Sequence, residues 1–219
     1  MRLIIMGPPG SGKGTQAKLL CDRFGMTHIS TGDILREAIR NHSPLGRQAQ
    51  QFMDDGQLVP DNLVNDIVAE RFRRADRPAK FLLDGYPRTL NQAEVFDVVL
   101  RELHVTITAV LALEVPDDEI VRRMSGRRIC PKDQSLYHVT FKPPKQPGIC
   151  DICQTRLIQR PDDKEETVLN RLKQFHATVD ELLEFYRRQN LLREVNGLGS
   201  IQEVFASCLA SLQAGKDQC

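Results

Sequence analysis

The stretch Leu3-Ile4-Ile5-Met6, followed at once by Gly7-Pro8-Pro9-Gly10-Ser11-Gly12-Lys13-Gly14-Thr15, decides the fold. A short apolar run bounded by glycine and proline has the length of a buried strand. Beyond it, Ala17, Leu19, Leu20 and Phe24 give the segment from Lys13 to Phe24 the spacing of a helix. Between the two, the glycines let the backbone curl so that successive N–H groups converge on one point. Strand, glycine-rich turn and helix in this order form the setting in which a P-loop holds phosphate. The amides and the positive helix end face the anion, and Lys13 reaches the β- and γ-phosphates. Gly14 stands where Ser or Thr usually serves Mg²⁺, which moves that hydroxyl to Thr15.

Working outward, strand-like Lys80 to Leu83, Ile107 to Leu113 and Leu191 to Val195 alternate with helical Asp61 to Arg74, Thr89 to Leu103 and Glu165 to Gln189. Such alternation predicts an α/β fold of the P-loop NTPase type: a doubly wound parallel sheet with helices on both faces and ligands at the carboxyl ends of its strands. Two stretches break the pattern. Ser30 to Val59 is helical and polar. Gly126 to Asp163 is rich in Pro, Lys and Cys, with short β-like pieces at Ser135 to Phe141 and Arg156 to Gln159. Both read as insertions into one core made of residues 1–29, 60–125 and 164–219.

The bulk properties agree. Among 219 residues, 41% hydrophobic and 27% charged describe a folded chain, not a disordered one. Thirty Lys and Arg against 29 Asp and Glu leave a net charge of +1, which argues against a dedicated nucleic-acid binder. No apolar run approaches the roughly 20 residues of a membrane span, and no leader-like segment opens the chain, so a cytoplasmic location is expected. Of the six cysteines, Cys21 and Cys208 fall on helix-like segments and Cys219 is terminal, while Cys130, Cys150 and Cys153 cluster. Clustered thiols in such a chain point to metal, not disulfides.

Further residues carry chemistry. Phe81-Leu82-Leu83-Asp84 is an apolar strand ending in a carboxylate, suited to hold Mg²⁺ through its waters beside nucleotide phosphates. Gly85-Tyr86-Pro87-Arg88 and Thr31-Gly32-Asp33-Ile34-Leu35-Arg36 place arginines near element ends, where a guanidinium can grip phosphate through two bonds. Arg123 and Arg127 lie four apart, so one helix would point both the same way, and Arg128, Arg160 and Arg171 add to the set. Cys130-x2-Asp133, sixteen further residues, then Cys150-x2-Cys153 has the knuckle spacing of a zinc ribbon, with Asp133 favoured over His138 as fourth ligand. A small proline-rich insertion has little core, so this zinc would be structural.

Together, Gly7 to Gln16, Thr31 to Arg36, Asp84 to Arg88 followed by Gln92, Gly126-Arg127-Arg128, Arg160 with Asp162-Asp163, and Arg171 resemble the adenylate kinase family over essentially the whole chain, in its long-lid bacterial form. The resemblance implies a P-loop core, an AMP-binding insertion (30–59) and a zinc-ribbon-like lid (126–163) that closes over ATP. It implies reversible Mg-dependent transfer of the γ-phosphoryl group of ATP to AMP, giving two ADP, by a monomer that needs neither nucleic acid nor membrane. By matching motif, Gly10, Ser11, Gly12, Lys13, Gly14, Thr15, Arg123, Arg127, Leu136, Tyr137 and Gly199 would hold ATP. Thr31, Arg36, Gln57, Leu58, Val59, Gly85, Tyr86, Pro87, Arg88 and Gln92 would hold AMP, with Arg160 and Arg171. Lys13, Arg88, Arg123, Arg160 and Arg171 would be catalytic. Tyr86 and Pro161 stand where the family commonly has Phe and a residue other than proline.

Three other readings compete. A kinase for UMP, CMP or GMP would share the phosphate chemistry. A zinc-ribbon P-loop ATPase acting on nucleic acid is disfavoured by the absence of Trp and of aromatic residues near Arg122 to Arg128. A noncatalytic nucleotide sensor would not need Lys13, Asp84 and so many arginines together.

Overall fold

A computed structural model describes residues 1–214; Cys219 and the end of the third core segment lie outside the described residues. In chain order the elements are β1 (Arg2–Met6), α1 (Lys13–Phe24), β2 (Thr27–Ser30), α2 (Thr31–Arg40), α3 (Pro44–Asp54), α4 (Asp61–Arg73), β3 (Phe81–Asp84), α5 (Leu90–Glu102), β4 (Ala109–Glu114), α6 (Asp117–Ser125), β5 (Arg127–Ile129), β6 (Leu136–His138), a 3₁₀ turn (Pro161–Asp163), α7 (Glu165–Arg188), β7 (Leu192–Asn196) and α8 (Ile201–Ala214). Five strands form a parallel sheet in the order β2-β3-β1-β4-β7. The expected strands and helices are present within a few residues of their predicted ends. The polar, Thr-containing strand β2 was not expected, because its exposed Thr27 and His28 hide the apolar signal of an edge strand. Its last residue, Ser30, therefore belongs to the sheet as well as opening the first insertion.

The central strand β1 explains the layering. Its side chains alternate: Leu3 and Ile5 pack with α1 and α8, and Ile4 and Met6 with the helices of the opposite face. On that second face Phe72 meets Phe81 and Phe96 edge to face at 4.8 and 5.1 Å, and Tyr86 meets Phe96 at 5.5 Å. Local chemistry sets the helix starts. The hydroxyls of Ser30, Ser43 and Thr89 accept from the amides of Asp33, Gly46 and Gln92, each contributing about 1 kcal/mol. The helix α1 instead begins on Gly12 at φ 94° and ends on Gly25 at φ 63°, both left-handed.

The first insertion follows β2 at the carboxyl edge of the sheet, and the second follows α6. The first is the helix pair α2 and α3. The second holds the antiparallel pair β5 and β6, with bridges joining Ile129 to Ile158 and Ile149 to Arg156. Its core is only Cys130, Tyr137, Cys150 and Leu157. Among the described residues no helix is long and apolar enough to cross a membrane.

Phe72 is 1% exposed at the centre of the aromatic cluster, so Phe72→Ala is expected to cost about 3–5 kcal/mol of unfolding free energy, measured by urea denaturation.

Candidate active site

One cleft of about 1480 Å³ opens along the carboxyl edge of the sheet and is walled by both insertions. Its floor is the loop between β1 and α1, where Gly7, Gly10 and Gly12 adopt φ of 140°, 78° and 94° that side chains rarely tolerate. Lys13 folds back over this loop, its Nζ donating to the carbonyls of Gly7 at 2.8 Å and Pro8 at 2.7 Å. Lys13 keeps some surface toward the cleft but is surrounded by protein. Loss of hydration pulls its pKa down to about 7; Asp84 opposes that change, and Arg88, Arg171 and Arg127 reinforce it. A polyphosphate laid on the loop would restore the charged form.

Asp84 ends β3 beside β1, 9% exposed, and His28 Nε2 lies 3.3 Å from its Oδ2. The next residue, Gly85, sits at φ 80°; a side chain there would crowd the Arg88 guanidinium and the Thr31 hydroxyl. Instead its carbonyl accepts from Thr31 Oγ1 at 2.9 Å and Arg88 Nε at 2.8 Å, which aims both residues into the cleft. Burial and repulsion from Arg171 lower Arg88 to about 10, and burial with repulsion from Arg36 does the same to Arg160.

Carboxylates on the segment leaving the lid hold the remaining arginines. Arg127 makes a two-pronged ion pair with fully buried Asp163, and Arg171 Nη1 donates to Asp162 Oδ2 at 2.7 Å. Burial acts to raise the Asp162 pKa, but Arg171, Arg127, Arg36 and Arg160 outweigh it and hold the carboxyl below its usual range. Arg123 reaches from α6 to Glu119 at 2.7 Å and to the Gly197 carbonyl at 3.1 Å.

The cleft brings together nearly every residue singled out from sequence: the loop residues 10–15, Thr31, Arg36, Gln57, Leu58, Val59, Asp84, Gly85, Pro87, Arg88, Gln92, Arg123, Arg127, Leu136, Tyr137, Arg160, Arg171 and Gly199. Tyr86 is a correction: its ring is 1% exposed in the core, and its hydroxyl donates toward Asn65 Oδ1 at 2.8 Å and the Gln92 carbonyl at 3.0 Å. The helical pairing of Arg123 with Arg127 is another. The helix α6 stops at Ser125 and Arg127 starts β5, so the two converge because the chain turns at Gly126, not through a shared helix face.

Sequence reading passed over Phe141, half-exposed in the cleft, stacked at 4.3 Å on His138 and covered by the Arg122 guanidinium at 4.9 Å. An isolated Phe in a loop carries no sequence signal of this position. Likewise, nothing in the sequence ties His28 to Asp84.

In the lid, the ligand atoms of Cys130, Asp133, Cys150 and Cys153 all lie within 4.8 Å of one another. The Cys130 and Cys153 sulfurs are 3.3 Å apart, and Asp133 Oδ2 is 3.1 Å from the Cys150 sulfur. Backbone amides of Asp133 and Ile152 point at the Cys130 and Cys150 sulfurs, as knuckle turns place them. These spacings suit four donors about 2.0–2.3 Å from one tetrahedral Zn²⁺. His138 stands outside the group, its Nδ1 accepting from the amides of Thr140 and Phe141.

Comparison with known proteins decides the family. The adenylate kinase family model matches residues 5–191. The chain belongs to the adenylate kinase family. It is 51% identical over 212 residues to an adenylate kinase of Caldicellulosiruptor saccharolyticus, covering 97% of this chain and 99% of that one. It is 49% identical over 205 residues to an adenylate kinase of Methanothrix thermoacetophila, covering 94% and 95%, and 49% identical over 213 residues to one of Carboxydothermus hydrogenoformans, covering 97% and 100%. Adenylate kinase family membership accounts for a P-loop core that carries two insertions over one cleft.

Because loss of hydration lowers the Lys13 pKa to about 7, binding inorganic triphosphate at about pH 8 should take up more protons, net of those the ligand releases, in the wild-type protein than in Lys13→Met. Calorimetry in two buffers of different ionisation enthalpy measures the difference, and equal proton exchange by the two proteins would count against a lowered Lys13 pKa.

Proposed function

We propose that this chain transfers the γ-phosphoryl group of ATP to AMP, reversibly, giving two ADP. One observation carries the reading. A phosphate-binding loop from the core, Thr31 and Arg36 from the helical insertion, and Arg127 and Arg160 from the lid all face a single cleft whose centre holds Lys13, Arg88 and Arg171. Two anionic ligands can meet there.

In this reading the chain divides into a core (1–29, 60–125, 164–219), an AMP-binding insertion (30–59) and a lid (126–163). ATP lies on residues 10–15 with Arg123 and Arg127, its base toward Leu136, Tyr137, Phe141 and Gly199. AMP lies against Thr31, Arg36, 57–59, Gly85, Pro87, Arg88 and Gln92. Asp84 fits an Mg²⁺ ion held through water, because it is a carboxylate at the foot of the phosphate loop with no arginine occupying it. Held there by Asp84, Mg²⁺ would supply charge neutralisation to the nucleotide phosphates.

The AMP phosphate oxygen is already anionic, so no general base is needed. Lys13, Arg88, Arg123, Arg160 and Arg171 stabilise the charge that spreads over the transferring group, and they hold donor and acceptor in line. Water is the competing nucleophile. Closing the lid brings Arg127 and Arg160 inward and excludes solvent in one movement. Three thiolates and a carboxylate in the lid would hold Zn²⁺ as a structural ion, supplying order that a four-residue core does not.

Lys13→Ala and Arg88→Ala should each lower ADP formation from MgATP and AMP by about a hundredfold or more with circular dichroism unchanged. Near-normal turnover by either variant would sink the assignment, and diphosphate formed mainly from CMP, UMP or GMP would replace the acceptor. Removing zinc with a chelator should lower the melting temperature by roughly 5 °C or more, and zinc should restore it. An unchanged melt after verified metal removal would exclude a structural ion.

A further inference from the structure

Gln92 is 2% exposed, yet its amide borders the cleft. An amide can present its oxygen and nitrogen in either sense, so a base reader of this type must be told which way round to stand. Here both ends are held. Gln92 Oε1 accepts from the Arg88 backbone N–H at 2.8 Å, and Nε2 donates to Asp61 Oδ1 at 2.7 Å. A backbone N–H only donates and a carboxylate only accepts, so each partner rejects the flipped amide. Asp61 is itself fixed: its other oxygen, Oδ2, accepts from Thr89 Oγ1 at 2.6 Å, and Thr89 is the cap that starts α5 one turn before Gln92. The first residue of α4 is thereby locked to the first turn of α5.

With those bonds made, Gln92 keeps one N–H and one oxygen lone pair side by side for a ligand. Adenine offers the complement, an amino donor beside a ring-nitrogen acceptor. A 6-oxo purine places an oxygen against Oε1. We propose that Asp61 is a specificity-determining residue that acts through Gln92: by fixing the sense of the amide it selects a 6-amino purine monophosphate and rejects a 6-oxo one. This rests on the reading of Gln92 as an AMP contact. Rejection here is built from repulsion as well as from missing bonds, because turning the amide to suit a 6-oxo base breaks the bonds to both Asp61 and Arg88.

The test measures kcat/KM at saturating MgATP with the full chain for three acceptors: AMP, IMP, and the monophosphate of unsubstituted purine riboside. A fixed amide predicts the order AMP, then the purine nucleotide, then IMP, with IMP about tenfold or more below the purine compound, which lacks a donor but repels nothing. IMP equal to or better than the purine nucleotide would mean a freely turning amide and would overturn the proposal. Asp61→Leu removes the charged acceptor and should narrow the AMP-to-IMP ratio by about tenfold with the KM for MgATP unmoved. A folded Asp61→Leu that loses AMP and IMP activity equally would show a purely structural role and would also overturn it. Asp61→Asn can keep an oxygen on Gln92 while its NH₂ donates to Thr89 Oγ1, so its ratio should stay within about threefold of wild type. An Asn variant with a collapsed ratio would count against orientation by an acceptor, and it decides the matter even where the Leu variant does not fold. Absence of ADP from AMP in the wild-type protein is a separate result that would remove the kinase reading itself.

Discussion

Repulsion among cations that share one cleft is the constraint on which the rest of the structure depends. Lys13, Arg36, Arg88, Arg123, Arg127, Arg160 and Arg171 all border it in a chain whose net charge is only +1. Loss of water on burial, reinforced by repulsion from neighbouring arginines, leaves Lys13 and Arg88 less firmly protonated than such groups are in solution. The molecule tolerates this through carboxylates placed where the lid rejoins the core: Asp163 on Arg127 and Asp162 on Arg171. Those ion pairs keep the guanidiniums extended and aimed while no polyanion is bound. A ligand with several phosphate charges would relieve the repulsion, and such an arrangement would suit charge spread over a transferring phosphoryl group.

Holding so many like charges in register needs a rigid support, which the sheet supplies. The core strand β1 is buried on both faces and hydrogen-bonded on both edges, so the loop that follows it starts from a fixed point. Asp84 ends the neighbouring strand at the same level, and the carbonyl of Gly85 turns Thr31 and Arg88 inward. The lid has no comparable support. Its apolar cluster is four residues, two of them cysteines, beside a group of four side chains that could hold a metal ion. Buried apolar packing thus falls steeply from the sheet to the second insertion.

Much of this was legible in the residues because it rests on local rules. Apolar runs and glycine spacing gave the strands and the phosphate loop; the two-residue knuckle spacing gave the cysteine group and favoured Asp133 over His138. Failures came where a local rule was carried across a chain reversal. Four-residue spacing paired Arg123 with Arg127, but Gly126 ends the helix between them. Tyr86 sits in a motif whose other members line the cleft, but its ring completes the aromatic packing of Phe72 and Phe96, and only its hydroxyl acts toward Gln92. The strand β2 escaped notice because an edge strand can be polar, and Phe141 because a lone aromatic in a loop has no period.

The sequence by itself determined the class of the fold and the family, and it singled out the glycine-rich loop and the four residues Cys130, Asp133, Cys150 and Cys153 that the fold brings together, since each is encoded in neighbouring residues whose spacing has few structural solutions. Only the tertiary structure decided which side chain faces which. Asp61 and Thr89 carry no sequence signal beyond a helix start, His28 none beyond a histidine without metal-ligand partners, and although Gln92, Asp162 and Asp163 stand in the family motifs, no spacing shows that Gln92 is held by Asp61 or that the two aspartates pair with Arg171 and Arg127. Their roles arise from hydrogen bonds and ion pairs between residues up to 56 positions apart, and no local spacing records a contact that exists only once the core has packed.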